Sequence, residues 1–337
     1  MIPLASSQLP PTPLQRLIRL LNTERRDIGY VYLYAIVAGL INLSLPLGIQ
    51  AVFNLVSGGM VFNSVYVLIG LVVIGVIISG FILVGQQVLV EVLQQRIFVK
   101  AAFEFTYRLP RIQPDTLEGS YPPELMNRFF DVLTIQKGLP KLLIDLTAAV
   151  VQILFGLVLL SFYHPIFIVF GIITLVVVSG LIVLLSDSAL KTSLSESKFK
   201  YKVVAWLEDM ASRLPALRET DQTSTLMGNT DEYVAQYIAY RNAHFKVLKR
   251  FFFSAIAFKT LITGGLLILG TALVVGREMT LGQFVAAELV IVLITNSVDK
   301  LIMGIDLIYD LMTSAEKIGQ ITDLPLVTEV TSMNSAK

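Results

Sequence analysis

Six long runs of apolar residues constrain this sequence more than any other feature. Crossing about 30 Å of hydrocarbon takes about 20 helical residues, and each run is close to that length or longer. The runs are Ile28–Phe53, Val65–Val90, Leu142–Phe162, Ile166–Leu185, Phe251–Val275 and Phe284–Ile302. Pro46 lies deep in the first run, where it is expected to kink the helix rather than end it. Only 15% of all residues are charged, against about 25% in ordinary soluble proteins. The sequence therefore predicts an all-α polytopic membrane protein with six transmembrane helices.

The connections between these runs alternate between short and long. Those after the first, third and fifth runs are short, namely Asn54–Ser64, Tyr163–Pro165 and Gly276–Leu281, whereas 91–141 and 186–250 are long. Of the 26 lysines and arginines, all but three lie before the first run, in the two long connections or after the last run. Because cytoplasmic segments retain Lys and Arg, both termini and both long connections are expected in the cytoplasm. We expect a cell membrane, which in a bacterium is the inner membrane.

The long connections have the periodicity of helices that continue the spans. Glu91–Arg108 extends the second run, Asp187–Met210 extends the fourth, and Asp231–Arg250 leads into the fifth. About 18 extra helical residues project about 27 Å. Neither connection has enough apolar residues for a core of its own. These segments are therefore predicted to be long cytoplasmic extensions of the transmembrane helices rather than separate domains.

A short amphipathic helix is predicted inside the first long connection, over Pro122–Phe130. Proline at the first helical position forfeits an N–H that has no partner there, and Glu124 falls in the first turn, where the helix dipole favours a carboxylate. Leu125, Phe129 and Val132 recur at three- and four-residue spacing and form one apolar face, with Arg128 and Asp131 on a more polar side. Such a helix, far from either neighbouring span, is expected to press against something outside the chain. The alternative is that it packs against the helical extensions of its own chain.

Four motifs carry a resemblance to a known family. They are Glu124-Leu125 with Arg128, Asp131-Val132 and Ile135; Leu207-Glu208-Asp209 with Ser212 and Leu214; Met279 to Ala286; and Ser314 to Ile318 with Ile321 and Pro325. In this order and spacing they resemble the transmembrane domain of ABC exporters of the type I fold. The resemblance covers nearly the whole chain. The chain departs from the family pattern in two places. Pro123 stands where the family often has glycine before the first acidic residue, and Arg213 and Pro215 replace a glycine-containing turn in the second motif.

The resemblance implies two transverse coupling helices, Pro122–Phe130 and Asp209–Leu217, that dock on an ATPase. The residues that it assigns to this coupling are Glu124, Leu125, Arg128, Phe129, Asp131, Glu208, Asp209 and Arg213. It also implies a homodimer or heterodimer of transmembrane subunits, because six spans supply half of a pathway. We expect residues 27–322 to form this domain, after a cytoplasmic lead and interfacial helix over 1–26 and before a polar tail over 323–337.

No ATP-binding motif accompanies these features. A phosphate-binding loop needs Gly-x-x-x-x-Gly-Lys-Ser/Thr, and no Gly-Lys dipeptide occurs in the sequence. We therefore expect no cofactor in this chain, and ATP and Mg²⁺ in a separate ABC ATPase subunit. The sequence has no cysteine, which excludes disulfides and thiol catalysis. Neither histidine has metal-ligand spacing, and the net charge of +1 gives no reason to expect nucleic acid.

The N-terminal region predicts an interfacial helix. Thr12 can cap it, with Pro13 at its first position. Its apolar residues Leu14, Leu17, Ile18 and Leu21 lie opposite Arg16, Arg19 and Asn22. Such a helix is expected to lie on the membrane surface with its arginines toward lipid headgroups; an ordinary soluble helix is the alternative.

Two ionisable residues lie well inside the predicted spans, Lys259 in the fifth and Glu288 in the sixth. Ionisable residues at such positions are costly and usually face a cavity or a partner. Glu288 is expected either to line a pathway or to form a structural pair with Lys259 or a polar neighbour. Lys259 is expected to be structural, reaching the interface or meeting Asp299 near the inner boundary.

The sequence supports one main hypothesis and two alternatives. The main one is the transmembrane subunit of an ATP-driven exporter, not itself an enzyme, whose substrate the sequence does not specify. An ion-coupled carrier could use Glu288, Lys259 and Asp299, although it has no need of long extensions. A non-transporting membrane scaffold or regulatory subunit with the same fold is the other alternative, since the chain has no motor of its own.

Overall fold

The computed structural model describes residues 11–59, 63–117, 122–219 and 223–327. Its helices are α1 (Pro13–Asn22), α2 (Arg25–Asn42), α3 (Ser44–Ser57), α4 (Asn63–Arg108), α5 (Pro122–Asn127), α6 (Phe130–Pro140), α7 (Thr147–Tyr163), α8 (Ile166–Ser212), α9 (Leu214–Glu219), α10 (Thr223–Val275) and α11 (Leu281–Thr322). A π-helical turn, Lys141–Leu146, joins α6 to α7. The predicted lead 1–10, the end of the tail and Gly119 to Tyr121 lie outside the described residues.

The all-helical prediction with six spans is confirmed. Six helical units are long and apolar enough to cross a membrane, as expected of a multi-pass membrane protein. They are α2 with α3, α4, α6 with α7, α8, α10 and α11. Within the described ranges the only β-type pairing is one isolated bridge between Ile112 and Leu326. The short connections fall between α3 and α4, α7 and α8, and α10 and α11, as predicted.

The first span contains a kink near Pro46. The chain leaves helical pairing at Leu43, between α2 and α3, three residues before the proline. Pro46 has no N–H to donate to the carbonyl of Asn42, and its ring crowds that carbonyl. The Asn42 side chain contacts α4, where its Oδ1 accepts a hydrogen bond of 2.9 Å from Ser79 Oγ. The predicted kink therefore joins two helices of one span.

Three helices are far longer than a bilayer requires. α4 has 46 residues, α8 has 47 and α10 has 53, which correspond to about 70–80 Å each. Each combines an apolar stretch near the short connections with a charged stretch at the other end. We call the charged stretches of these helices, together with α5, α6, α9 and the second half of α11, the stalk. The helical continuations predicted from the sequence are present.

Helix α11 forms the centre of the bundle. Half of the residues in its most apolar stretch are buried. The helix packs on α6 and α7 through close contacts at glycines. A Cβ atom added at Gly156 would meet the Ile294 side chain at 2.8 Å, and one added at Gly304 would meet Leu146 at 2.4 Å. Small residues let helix backbones approach closely where there is no hydrophobic driving force. These contacts fix the depth of α11 relative to α7.

The N-terminal helix α1 is capped as predicted, but one of its arginines faces the protein. The hydroxyl of Thr12 accepts from the Gln15 N–H while the Gln15 side chain accepts from Thr12 N–H, which completes a capping box. The Arg16 side chain is only 10% exposed and pairs with Glu316 and Asp323 of α11 and the residues just after it. The prediction that the arginines face headgroups is therefore wrong for Arg16, because these two carboxylates neutralise it.

A residue in the left-handed region ends α10. Arg277 has φ 61°, and the next N–H, of Glu278, reaches back to the Leu273 carbonyl at 2.9 Å. The Arg277 N–H donates to Val274 at 3.0 Å. This pair of bonds is a Schellman motif, in which glycine is favoured at the left-handed position. The turn is therefore well bonded but carries a residue with a steric cost.

Candidate functional site

The two long connections, 91–141 and 186–250, which we call the first and second excursions, have their far ends side by side; we call these ends the tips. The first ends at α5 and the second at α9, and the Asn127 side-chain N–H donates to Glu208 Oε1 across the two. Both short helices differ in extent from the predicted Pro122–Phe130 and Asp209–Leu217. The first stops at Asn127 because Arg128 and Phe129 form a tight turn of i→i−3 bonds before α6 begins.

The second short helix begins later than predicted. Asp209 belongs to the last turn of the long helix α8, which ends at Ser212, and α9 begins at Leu214. Pro215 explains the break, since a proline there cannot continue α8 without crowding the preceding turn. Proline is instead favoured in the first turn of a new helix.

The two predicted apolar anchors of the first helix face the protein. Leu125 is buried, and the Phe129 ring packs edge-on against Phe98 and Phe105 of α4, with centroid distances of 5.4 and 5.5 Å. Val132 shares this buried face, so the predicted apolar face exists. It covers the stalk of the same chain, which is the alternative that the sequence left open. Leu125 is therefore not available to a partner, and Phe129 is only partly exposed.

Asp131 is also buried rather than on a polar surface. Only 3% of it is exposed, and its carboxylate accepts hydrogen bonds from the Tyr201 hydroxyl and, at 3.3 Å, from Ser314 Oγ. These donors belong to α8 and α11, so Asp131 ties the first excursion to two other helices. Arg128 lies in the turn before it and is partly exposed. For Glu124 the structure describes the backbone alone.

The second tip presents charged groups. One carboxylate oxygen of Glu208, Oε2, is buried and has no hydrogen-bond partner among the described residues. The next residue, Asp209, forms an ion pair with Arg213 in which both side chains are about half exposed. Buried carboxylate oxygens normally have a donor, so Glu208 Oε2 is an exception among the described residues. The exposed charges of this tip are therefore those of Asp209 and Arg213.

Four large apolar side chains at the tips point outward, and none of them is among the residues that the resemblance assigns to coupling. They are Met126, Phe130, Leu207 and Leu214, which are 47–62% exposed. We call these four residues the tip surface. Helical spacing from Leu125 selects Phe129 for the buried face, and the adjacent Phe130 then points elsewhere. The same spacing could therefore have shown from the sequence that Phe130 points away from the buried face.

The stalk behind the tips is held by polar contacts between its helices. His244 of α10 is 1% exposed; its Nδ1 lies 2.8 Å from Thr192 Oγ1 of α8, and its Nε2 lies 3.1 Å from Asp306 Oδ1 of α11. A cavity of about 230 Å³ lies nearby, and its walls include Asp131, Arg241 and Asp310. These contacts connect the first excursion to α8, α10 and α11.

A second polar cluster ties the start of the first span to α4. Glu24 is buried, and its carboxylate accepts from Lys100 and, at 3.2 Å, from Arg96. The hydrogen bond from Lys100, followed by that from Arg96, lowers the pKa of Glu24 below its ordinary value despite its burial. Arg96 also contacts Asp27 at 2.5 Å. The cluster is a charge-assisted clamp near the predicted membrane boundary.

The two ionisable residues inside the spans do not pair with each other. Lys259 Nζ lies 2.7 Å from Asp299 Oδ2, one of the partners predicted for it. Glu288, on α11, has neither a hydrogen bond nor an ion pair with any residue that the structure describes. The structural pair proposed between Glu288 and Lys259 is therefore absent from the described contacts.

No protein-family model matches this chain, and no curated protein matches it.

Proposed function

We propose that this chain is the transmembrane subunit of an ATP-driven, ABC-type exporter that works with a separately encoded ATPase. The observation that carries the proposal is the pair of stalk tips joined at Asn127 and Glu208. A membrane protein that only needs to cross the bilayer has no use for helices of about 70–80 Å. A protein that transmits motion from a peripheral motor does need them.

The tip surface fits a protein partner. Exposed apolar side chains rimmed by charged groups are typical of interaction sites, and here Asp209 and Arg213 are the charged neighbours. We place the apolar contacts with the ATPase on Phe130, Met126 and Leu214, in place of the inward-facing Leu125 and Phe129. Arg213 and Asp209 would orient the docking by charge.

The stalk contacts provide a route for coupling. Asp131 bonds the first excursion to α8 and α11, and His244 bonds α10 to the same two helices. A push on the tips would therefore move α8, α10 and α11 as one body toward the spans. In this proposal both termini and the stalk are cytoplasmic, ATP and Mg²⁺ bind in the partner, and two transmembrane subunits enclose the pathway.

Co-purification from native membranes tests the proposal. A tagged chain is expected to recover a protein with a phosphate-binding loop, while the chain alone shows no ATP affinity by calorimetry. Burying a Phe side chain is worth about 1.5–3 kcal/mol, so Phe130→Ala should weaken ATPase recovery about tenfold or more. Phe162→Ala is the matched control, because Phe162 is even more exposed and lies at the opposite end of the bundle.

Two outcomes would contradict the proposal. Recovery of no ATPase with the wild-type chain would favour the membrane scaffold. Equal recovery with Phe130→Ala and wild type would remove the tip surface as the docking site.

A further inference from the structure

One face of α11 is left uncovered inside its apolar span. Glu288, Val292 and Asn296 follow one another at four-residue spacing, and Met303 lies on the same face two turns further on. Val292 and Met303 are about half exposed, Asn296 is exposed and Glu288 is partly covered. The opposite face, with Ala287, is buried. An otherwise buried helix thus presents a carboxylate and an amide at membrane depth.

Glu288 lacks a counter-charge within the described part of the chain. Lys259 is paired with Asp299 and lies deeper in the bundle. Glu288 is about 10 Å below the outer end of α11, whereas Lys259 is about 24 Å below the outer end of α10 at 1.5 Å per residue. Arg277 sits in the outer turn before α11 begins. The predicted spans contain no further lysine or arginine at the depth of Glu288.

A second copy of this chain brings no counter-charge at this depth, since its lysines and arginines lie at the same depths as those of the first copy. A carboxylate in an apolar environment is costly unless it is paired. A metal ion is a poor fit, because a divalent cation needs several oxygen ligands. The described residues hold no group of three acidic or histidine side chains that could supply them. The nearest polar neighbour on this face, Asn296, is two turns away, about 12 Å.

We propose that the uncovered face of α11 binds an organic cation, whose positive charge pairs with Glu288 and whose apolar body lies on Val292 and its neighbours. The inference rests on the proposed function for one step, which is that the bound molecule is exported. The substrates would then be cationic amphiphiles. Asn296, one turn beyond Val292, would contact a polar substituent of the bound cation.

Two probes of the same shape and opposite charge test this assignment. Tetraphenylphosphonium and tetraphenylborate both carry four phenyl groups around a central atom. Their binding is measured by equilibrium dialysis against the purified full chain in nanodiscs, with empty nanodiscs as the blank. The wild type is expected to bind tetraphenylphosphonium at least tenfold more tightly than tetraphenylborate.

Variants of one residue locate the effect. Glu288→Gln removes the charge and keeps the shape. It should weaken tetraphenylphosphonium binding, after subtraction of the empty-nanodisc signal, about tenfold or more. Glu278→Gln is the matched control, because Glu278 is mostly exposed beside His164 in the outer connection. It removes one negative charge near the same end and should leave binding unchanged. Glu288→Asp keeps the charge and should keep the preference for the cation.

Several results would overturn the assignment. These are equal binding of the two probes by the wild type, no binding of tetraphenylphosphonium, or equal binding by wild type and a folded Glu288→Gln. If Glu288→Gln fails to fold, the probe preference of wild type and Glu288→Asp still decides. Because the assay contains no ATPase, it is separable from the proposed function. Cation binding without a co-purifying ATPase would contradict the proposed export and leave the binding site standing. A co-purifying ATPase without cation binding would contradict the substrate class and leave the proposed function standing.

Discussion

Replacing either of two adjacent phenylalanines in the first excursion by alanine should have very different effects on stability. Phe129 packs edge-on against two rings of α4 at 5.4 and 5.5 Å, whereas Phe130 is 62% exposed. Replacing a buried Phe by Ala costs about 3–5 kcal/mol, and each edge-on ring contact is worth about 0.5–1.5 kcal/mol beyond its buried area. Since Phe129 is only partly buried, we expect Phe129→Ala to cost about 3 kcal/mol. Phe130→Ala should change the unfolding free energy by about 0.5 kcal/mol or less.

The sole tryptophan provides the assay for this comparison. Trp206 lies in the stalk, where its indole N–H donates to Thr230 Oγ1 at 2.9 Å. Its fluorescence should follow reversible unfolding of the chain in mixed micelles as the denaturing detergent fraction rises. A midpoint for Phe130→Ala as low as that for Phe129→Ala would refute the assignment of inward and outward faces. A wild-type midpoint for Phe129→Ala would do the same.

Three further predictions concern other parts of the chain. With no native cysteine, Ser57→Cys should react with an impermeant maleimide from outside the cell and Phe130→Cys only from the cytoplasm; outside labelling of Phe130→Cys would contradict the orientation. Arg277→Gly should raise the unfolding free energy by about 1 kcal/mol, because it relieves a left-handed residue, and a lower melting temperature would contradict the Schellman geometry. The pKa of Glu24 is lowered in the folded chain, so its stabilisation is present above its ordinary value of 4.5 and lost as the pH falls through the folded value. Glu24→Gln should therefore melt below wild type at pH 7, with the difference closing below that ordinary value; a constant difference would contradict the clamp.

The sequence predicted the spans well because composition and length alone determine them. The kink at Pro46 and the cap of α1 were equally local, since a proline or a capping threonine acts within four residues. The helical continuations followed from unbroken periodicity. These features depend on neighbours in the chain and not on the fold.

The candidate site was harder to predict because it depends on distant partners. Asp131 was expected on a polar side, yet its donors Tyr201 and Ser314 are 70 and 183 residues away in sequence. No local pattern shows that two hydroxyls will satisfy a carboxylate and so permit its burial. The same limit applies to Phe129 and Phe130. Their spacing defines an apolar face, but only the fold shows that α4 covers it.

The central claim, that the tip surface docks on an ATPase, is tested most directly by crosslinking in native membranes. Phe130→Cys, the only cysteine in the variant chain, is labelled with a benzophenone maleimide and irradiated, and the adducts are identified by mass spectrometry. Phe162→Cys, at the opposite end of the bundle, is the control. The account predicts an adduct between Phe130→Cys and a protein with a phosphate-binding loop, and none from Phe162→Cys. Adducts of Phe130→Cys with this chain or with lipid alone would contradict it.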